Sequence, residues 1–229
     1  MKISIIIPVY NEKLTLPLLL DKIKAVDLSS LQLEKEIVLV DDGSFDGTRD
    51  YLATLPKEYK VILHDKNYGK GHAIRTGIKE VTGDMVLIQD ADLEYDPNEY
   101  IKLVEPIVKQ ETEVVYGSRN LKINKRYKWS YYWGGRFLSY LANFLYGTNI
   151  TDEATCYKLF KTEIIKKIPL KCEKFEFCPE VTAKVAKRGC KIIEVPISYN
   201  PRSADEGKKI RLSDGISAIW TLIKYRFID

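Results

Sequence analysis

The chain has little of what familiar metal and redox centres need. Its 229 residues include two histidines and four cysteines, Cys156, Cys172, Cys178 and Cys190, and no two cysteines have the short paired spacing of a structural zinc site. The thiols read as reduced and mostly buried. Nowhere do 18 apolar residues run together, so no segment reads as a membrane span, and Met1-Lys2 leads into a strand-like run with no signal-peptide pattern. The expectation is a cytosolic chain with no span of its own. Charge of one sign is not in excess: 36 basic residues against 32 acidic ones leave +4, too mild to argue for nucleic acid as a partner. Repeats, low-complexity stretches and long linkers are also lacking, which points to one domain over 1–229 with a C-terminal elaboration.

What is present is an alternation. Strand-like runs at 3–9, 36–40, 61–63 and 84–88 each end at polar, turn-forming residues, and helical patterns at 16–26, 47–55 and 71–81 lie between them. Such an order predicts right-handed crossovers and an α/β fold around a mainly parallel sheet, with helices on both faces. Ligands of these sheets bind beyond the carboxyl ends of the strands, where Asn11-Glu12, Asp41-Asp42 and Asp90-Ala91-Asp92 all fall. After 120 the character changes. Strands are expected at 114–116 and 192–195, an aromatic-rich helix over 127–146 and an amphipathic helix over 212–227. Trp129, Trp133, Phe137, Tyr140, Leu141 and Phe144 form a broad apolar stripe, which suits core packing or, beside Lys125, Arg126 and Arg136, a membrane interface.

The run Met85-Val86-Leu87-Ile88-Gln89-Asp90-Ala91-Asp92-Leu93-Glu94 empties a buried strand into three alternating carboxylates. In extended backbone these point the same way and repel one another unless a cation sits among them. An all-oxygen set suits Mg²⁺ or Mn²⁺, so Asp90, Asp92 and Glu94 read as a metal seat; a solvated acidic loop is the alternative. The glycine turn Gly69-Lys70-Gly71 lacks the spacing of a nucleotide-triphosphate loop and reads as a tight entry to a helix, with Lys70 a minor candidate for phosphate contact and His72 a helix-start residue.

Taken together, Ile6-Ile7-Pro8-Val9-Tyr10-Asn11-Glu12, Val40-Asp41-Asp42-Gly43-Ser44-Phe45-Asp46-Gly47-Thr48, Asn67-Tyr68-Gly69-Lys70-Gly71 and Asp90-Ala91-Asp92 resemble glycosyltransferase family 2 in order and spacing. Gly117-Ser118-Arg119, Arg136-Phe137-Leu138-Ser139, Asp152-Glu153-Ala154-Thr155-Cys156-Tyr157-Lys158 and Glu206-Gly207-Lys208-Lys209-Ile210 extend the resemblance towards the dolichyl-phosphate mannosyltransferase and polyprenyl-phosphate glycosyltransferase branch.

That resemblance implies the nucleotide-diphospho-sugar transferase (GT-A) fold, with 1–120 as the nucleotide-sugar half and 121–229 as the acceptor-binding, membrane-facing half. It implies that Pro8, Tyr10, Glu12, Val40 and Asp42 hold the nucleoside, and that Asp90, Ala91 and Asp92 make metal and ribose contacts. Glu94 falls where close relatives often carry Gln, and its added charge is expected to strengthen binding of the divalent ion. Arg119, Arg136 and Lys209 match positions that contact phosphates, with Asp92, Arg119, Arg136 and Lys209 expected to carry catalysis. The implied reaction is inverting, Mg²⁺- or Mn²⁺-dependent transfer of mannose or glucose from GDP-mannose or UDP-glucose to a polyprenyl phosphate. The implied place is the inner face of the membrane, with peripheral attachment or a membrane-embedded partner subunit. Two alternatives stand beside it: transfer to a saccharide or protein hydroxyl with Glu180 as base, and a non-catalytic nucleotide-sugar-binding membrane adaptor.

Overall fold

In a computed structural model that describes residues 1–125, 128–202 and 212–228, the chain builds one seven-stranded sheet. Strands β1 (Lys2–Val9), β2 (Glu34–Asp41), β3 (Lys60–Leu63), β4 (Met85–Ile88), β5 (Val114–Ser118), β6 (Lys158–Lys161) and β7 (Ile192–Pro196) run in the order β3-β2-β1-β4-β6-β5-β7. Helices α1 (Leu16–Ala25), α2 (Thr48–Ala53) and α3 (Lys70–Glu80) supply the first crossovers, and β1 pairs in parallel with both β2 and β4. Flanked on both sides, β1 needs no alternation: Ile3, Ile5, Ile6, Ile7 and Val9 are all fully buried. The chain moves outward from β1 through β2 to β3, then returns to β1's other edge as β4. That reversal opens a crevice beyond the carboxyl ends of β1 and β4, the place where a doubly wound sheet accepts a ligand.

The remaining helices are α4 (Tyr100–Val108), α5 (Trp129–Tyr146), α6 (Thr162–Lys166), α7 (Phe177–Lys187) and α8 (Leu212–Phe227). Three of them, α5, α7 and α8, pack on one another. The sequence reading missed β6, α4, α6 and α7. Strand β6, Lys-Leu-Phe-Lys, is short and begins with a lysine, yet it sits antiparallel between β4 and β5. Lys158 is tolerated there because its Nζ donates to the Glu153 carbonyl at 2.7 Å and lies 3.6 Å from the centre of the Tyr116 ring. In α4, Pro106 near the C-terminal end reads in sequence as a breaker, whereas an apolar face of Leu103, Val104 and Ile107 carries the helix through.

Candidate active site

Each arm of the crevice is shaped by local chemistry. Beyond β1, Asn11 takes a left-handed conformation (φ 53°), which asparagine tolerates. Its N–H donates to Ser44 Oγ and its Oδ1 accepts from the Phe45 N–H, which ties the ends of β1 and β2 together. The aromatic rings of Tyr10 and Phe45 meet edge to face at 6.1 Å beside Pro8, and Val40 is buried below. Asp42 is 3% exposed and accepts three hydrogen bonds: from His64 Nδ1 at 2.9 Å, the Tyr68 N–H at 3.0 Å and the Gly69 N–H at 2.7 Å. A carboxylate has about four acceptor positions, so Asp42 braces the 67–69 turn and keeps one for a further donor. Gly69 is required in this turn, since its φ of 102° suits only glycine and a Cβ would strike the Glu173 carbonyl.

The acidic run after β4 departs from the extended geometry expected of it. The backbone turns at 91–92 and Leu93 is left-handed (φ 62°), so the three carboxylates do not alternate along a strand. Asp90 pairs with Lys70 at 2.6 Å. Burial by itself lowers the Lys70 pKa, and Asp90 outweighs that and raises it. Asp92 accepts from the Glu94 N–H at 3.1 Å and pairs with Arg202 at 3.2 Å, while the same guanidinium reaches both oxygens of Glu12 at 3.2 and 3.3 Å. Glu94 faces the 199–202 segment, accepting from the Tyr199 hydroxyl at 2.9 Å and the Arg202 N–H at 2.7 Å. Among the described residues no three acidic, histidine or cysteine side chains form a ready-made metal cluster.

The acids nonetheless feel one another. Burial, and then the charges of Asp90 and Glu94, push the Asp92 carboxyl up to about 7 against the pull of Arg202. Surplus negative charge on oxygen donors is the environment that a hard dication relieves, so the residues fit Mg²⁺ or Mn²⁺.

Opposite the acids stand two guanidiniums held by consecutive residues. Arg119 forks onto Asp152 with Nε at 2.7 Å and Nη2 at 2.7 Å, and Arg136 Nη1 donates to the Thr151 carbonyl at 3.2 Å. Burial pushes the Asp152 carboxyl up, but the Arg119 guanidinium outweighs it and holds the group below the usual range. The 151–153 loop is fixed in turn by Glu194, which accepts from the Thr151 and Asp152 N–H groups, and by Ser139, whose hydroxyl accepts from the Glu153 N–H. Tyr199 joins the two sides, since its hydroxyl bonds Glu94 and its ring lies 5.0 Å beneath the Arg119 guanidinium.

Glu180 takes no part in this arrangement. It is fully buried in the first turn of α7 and accepts from the Lys171 N–H at 2.8 Å, the Cys172 N–H at 2.6 Å and Lys184 at 2.6 Å. Burial pushes its carboxyl up, and the Lys184 and Lys171 bonds outweigh that and hold it below the usual range. A general base must reach its proton, and this acid is sealed into a brace. Lys209 lies outside the described residues. Arg202 and Tyr199 are the members that sequence reasoning missed. No motif spacing marks them, and Arg202 is 110 residues from the Asp92 it touches.

The sequence model described as Glycosyl transferase family 2 matches residues 4–169. A dolichol-phosphate mannosyltransferase of Pyrococcus furiosus is 32% identical over 217 residues, covering 91% of this chain and 59% of the relative. An undecaprenyl-phosphate 4-deoxy-4-formamido-L-arabinose transferase of Sodalis glossinidius is 34% identical over 212 residues, covering 90% and 62%. The chain therefore spans about three fifths of the length of these relatives. In architecture it is similar to the glucosyl-3-phosphoglycerate synthase of Mycobacterium tuberculosis in complex with UDP, at 18% identity and a TM-score of 0.74, over 100% of this chain and 81% of the other. The same enzyme has been crystallised with Mn²⁺, UDP and glucosyl-3-phosphoglycerate, and that structure superposes with a TM-score of 0.71. The match of the family model over most of the chain, onto a sheet whose crevice gathers the family's motifs, means that this protein belongs to glycosyl transferase family 2.

Proposed function

We propose that this chain transfers a hexose from a nucleotide-diphosphate sugar to a polyprenyl phosphate, with inversion at the anomeric carbon. The observation that carries the reading is the meeting of two charge types in one crevice. Asp90, Asp92, Glu94 and Glu12 lie at the sheet's switch point, and Arg119 and Arg136 hang from adjacent residues of the facing loop. Both relatives compared carry a polyprenyl phosphate in their names, which supports the acceptor class. Between GDP-mannose and UDP-glucose we favour GDP-mannose, after the mannosyltransferase.

In this reading Tyr10 and Pro8 flank the base, with Val40 beneath, and the remaining acceptor position of Asp42 takes a base or ribose donor. Glu12, Ala91 and the Asp90 and Asp92 carboxylates border the ribose and diphosphate. Asp90, Asp92 and Glu94 would hold Mg²⁺ or Mn²⁺, which supplies Lewis-acid neutralisation of the departing diphosphate. Arg119 and Arg136 make no hydrogen bonds beyond those to Asp152, Thr151 and their own loops that would occupy every N–H, so each has donors for phosphate oxygens. Lys209 is assigned to the same phosphates on its motif alone. A phosphate monoester is ionised at neutral pH, its second pKa being about 6. Its oxygen attacks the anomeric carbon as the bond to the diphosphate breaks, the electron pair leaving on the diphosphate oxygen. No side chain has to remove a proton, which agrees with the sealed position of Glu180.

A lipid acceptor sets the reaction at a membrane surface, through peripheral attachment or a membrane-embedded partner. The four unpaired cysteines suit the reducing, cytoplasmic side. The halves 1–120 and 121–229 serve donor and acceptor in turn. The test is a panel of labelled nucleotide sugars with undecaprenyl phosphate and Mg²⁺ or Mn²⁺. The expected result is label extractable into organic solvent and lost when the acceptor is first treated with phosphatase. Label passed only to hydroxyl acceptors, or product formed equally well after phosphatase treatment, overturns the reading.

A further inference from the structure

All three tryptophans of the chain, Trp129, Trp133 and Trp220, are exposed, at 63%, 61% and 63%. They stand on α5 and α8, two helices packed directly on each other. Along α5, the exposed Trp129, Trp133, Phe137, Tyr140 and Phe144 follow spacings of four, four, three and four, which is one face of a helix. The opposite face, with Leu138, Ser139 and Ala142, is buried. On α8, Trp220 and Phe227 are exposed while Leu222 and Tyr225 are buried. A soluble surface rarely leaves so many large aromatics in water without a use for them.

We infer that the outer face of α5 and α8 docks on an anionic lipid bilayer, lying along its surface. Charge favours lipid as the occupant. The 18 residues of α5 hold no aspartate or glutamate and one arginine, and the 16 of α8 hold one aspartate against Lys224 and Arg226. Exposed Lys125 and Lys128 precede α5. Tryptophan and tyrosine edged by lysine and arginine, with almost no acid, is the composition that settles at the headgroup boundary. No helix among the described residues is long and apolar enough to cross a membrane, so the helices lie on the bilayer rather than through it.

Continuity with the site is the second argument, and it rests on the lipid-phosphate reading given above. Helix α5 carries the aromatic face outward and, on its other side, Arg136 and Ser139, both bonded to the Thr151 carbonyl. A lipid whose phosphate sits at that loop has its chain led across α5 into the bilayer, so the acceptor reaches the crevice without leaving the membrane.

The position of the tryptophans makes the test direct, because the whole tryptophan signal comes from this face. The protein is mixed at low salt with phosphatidylcholine–phosphatidylglycerol vesicles that contain no polyprenyl phosphate. Co-sedimentation, a blue shift of the emission and quenching by lipids brominated in their acyl chains are expected. The combined variant Trp133→Ser, Phe144→Ser, Trp220→Ser is expected to lose about tenfold or more in vesicle partitioning, with an unchanged Tm and unchanged sugar transfer to a short-chain, water-soluble prenyl phosphate. Protein that stays in the soluble fraction, binds vesicles with unshifted emission, or binds them equally well as the variant overturns the docking face. So does a concentration-dependent dimer that the same variant abolishes, since the face is then covered by a second copy. Vesicle docking without transfer to any prenyl phosphate upholds the face and sinks the proposed reaction, whereas transfer to the soluble acceptor without docking does the reverse.

Discussion

Two apolar segments, β1 and α5, meet opposite fates. In β1, Ile3, Ile5, Ile6 and Ile7 are completely buried, whereas on α5 five large aromatic side chains stand half or more exposed. The strand is enclosed because both of its edges are paired and α3 packs on it. One side of α5 is left open because a single stripe, through Leu138 and Ala142, suffices to seat it. Hydrophobicity in this chain therefore serves two ends, and only the sheet's share holds the fold together.

The comparison can be broken or sharpened in several ways. The largest effect is expected where the sheet delivers its chemistry: Asp92→Ala should lower transfer roughly a thousandfold with the circular dichroism spectrum unchanged. Undiminished turnover removes Asp92 from the machinery. The next is thermodynamic. Ile6 fills the space over Gly77, whose missing side chain leaves nothing to close a gap, so Ile6→Ala should cost about 2–5 kcal/mol in urea denaturation. Trp133→Ala, on the open face of α5, should stay within roughly 0.5 kcal/mol. Similar costs at the two positions would erase the distinction between them.

Smaller effects follow from the ion pairs. Arg202 competes with a dication for Asp92, so Arg202→Ala should tighten Mn²⁺ binding by roughly three- to tenfold, each tenfold being about 1.4 kcal/mol. Calorimetric titration of Mn²⁺ checks this, and weaker binding would mean that Arg202 shapes the seat instead.

The subtlest effect is in pH. Asp152 and Asp92 lie in the same crevice and titrate in opposite senses. The Asp152 pKa is lowered in the fold, so its contribution is present above the usual carboxylate range and is lost as pH falls through the folded value. The Asp92 pKa is raised to about 7, so the folded state holds an extra proton between about 4 and 7, and this group costs stability as pH rises through that window. In metal-free buffer, Asp92→Asn should raise Tm relative to the parent at pH 8 and leave it nearly unchanged at pH 4, while Asp152→Asn should flatten the acid limb. Thermal melts across pH measure both, and parallel curves for the two variants would contradict the assignment.

Much of the donor side is legible in the residues because strand ends announce themselves. Runs of isoleucine and valine stop at Asn11, Asp42 and Gln89-Asp90, and parallel topology sends those stops to one rim. The acceptor side is less so. Lys158 and Glu180 are charged residues deep in the interior, kept there by Glu153, Tyr116, Lys171, Cys172 and Lys184, and a local reading of charge places such residues at the surface.

By itself the sequence determined the alternation of strands and helices, the gathering of polar turns at the strand ends and the aromatic periodicity of α5, all of which are set by neighbours a few residues apart. Only the tertiary structure decided that Tyr199 bridges acid and arginine, that Arg202 occupies the carboxylates of Glu12 and Asp92, and which side of α5 faces outward. These contacts join residues about a hundred or more positions apart, and no local propensity encodes a pairing that exists only once the sheet has brought its two halves together.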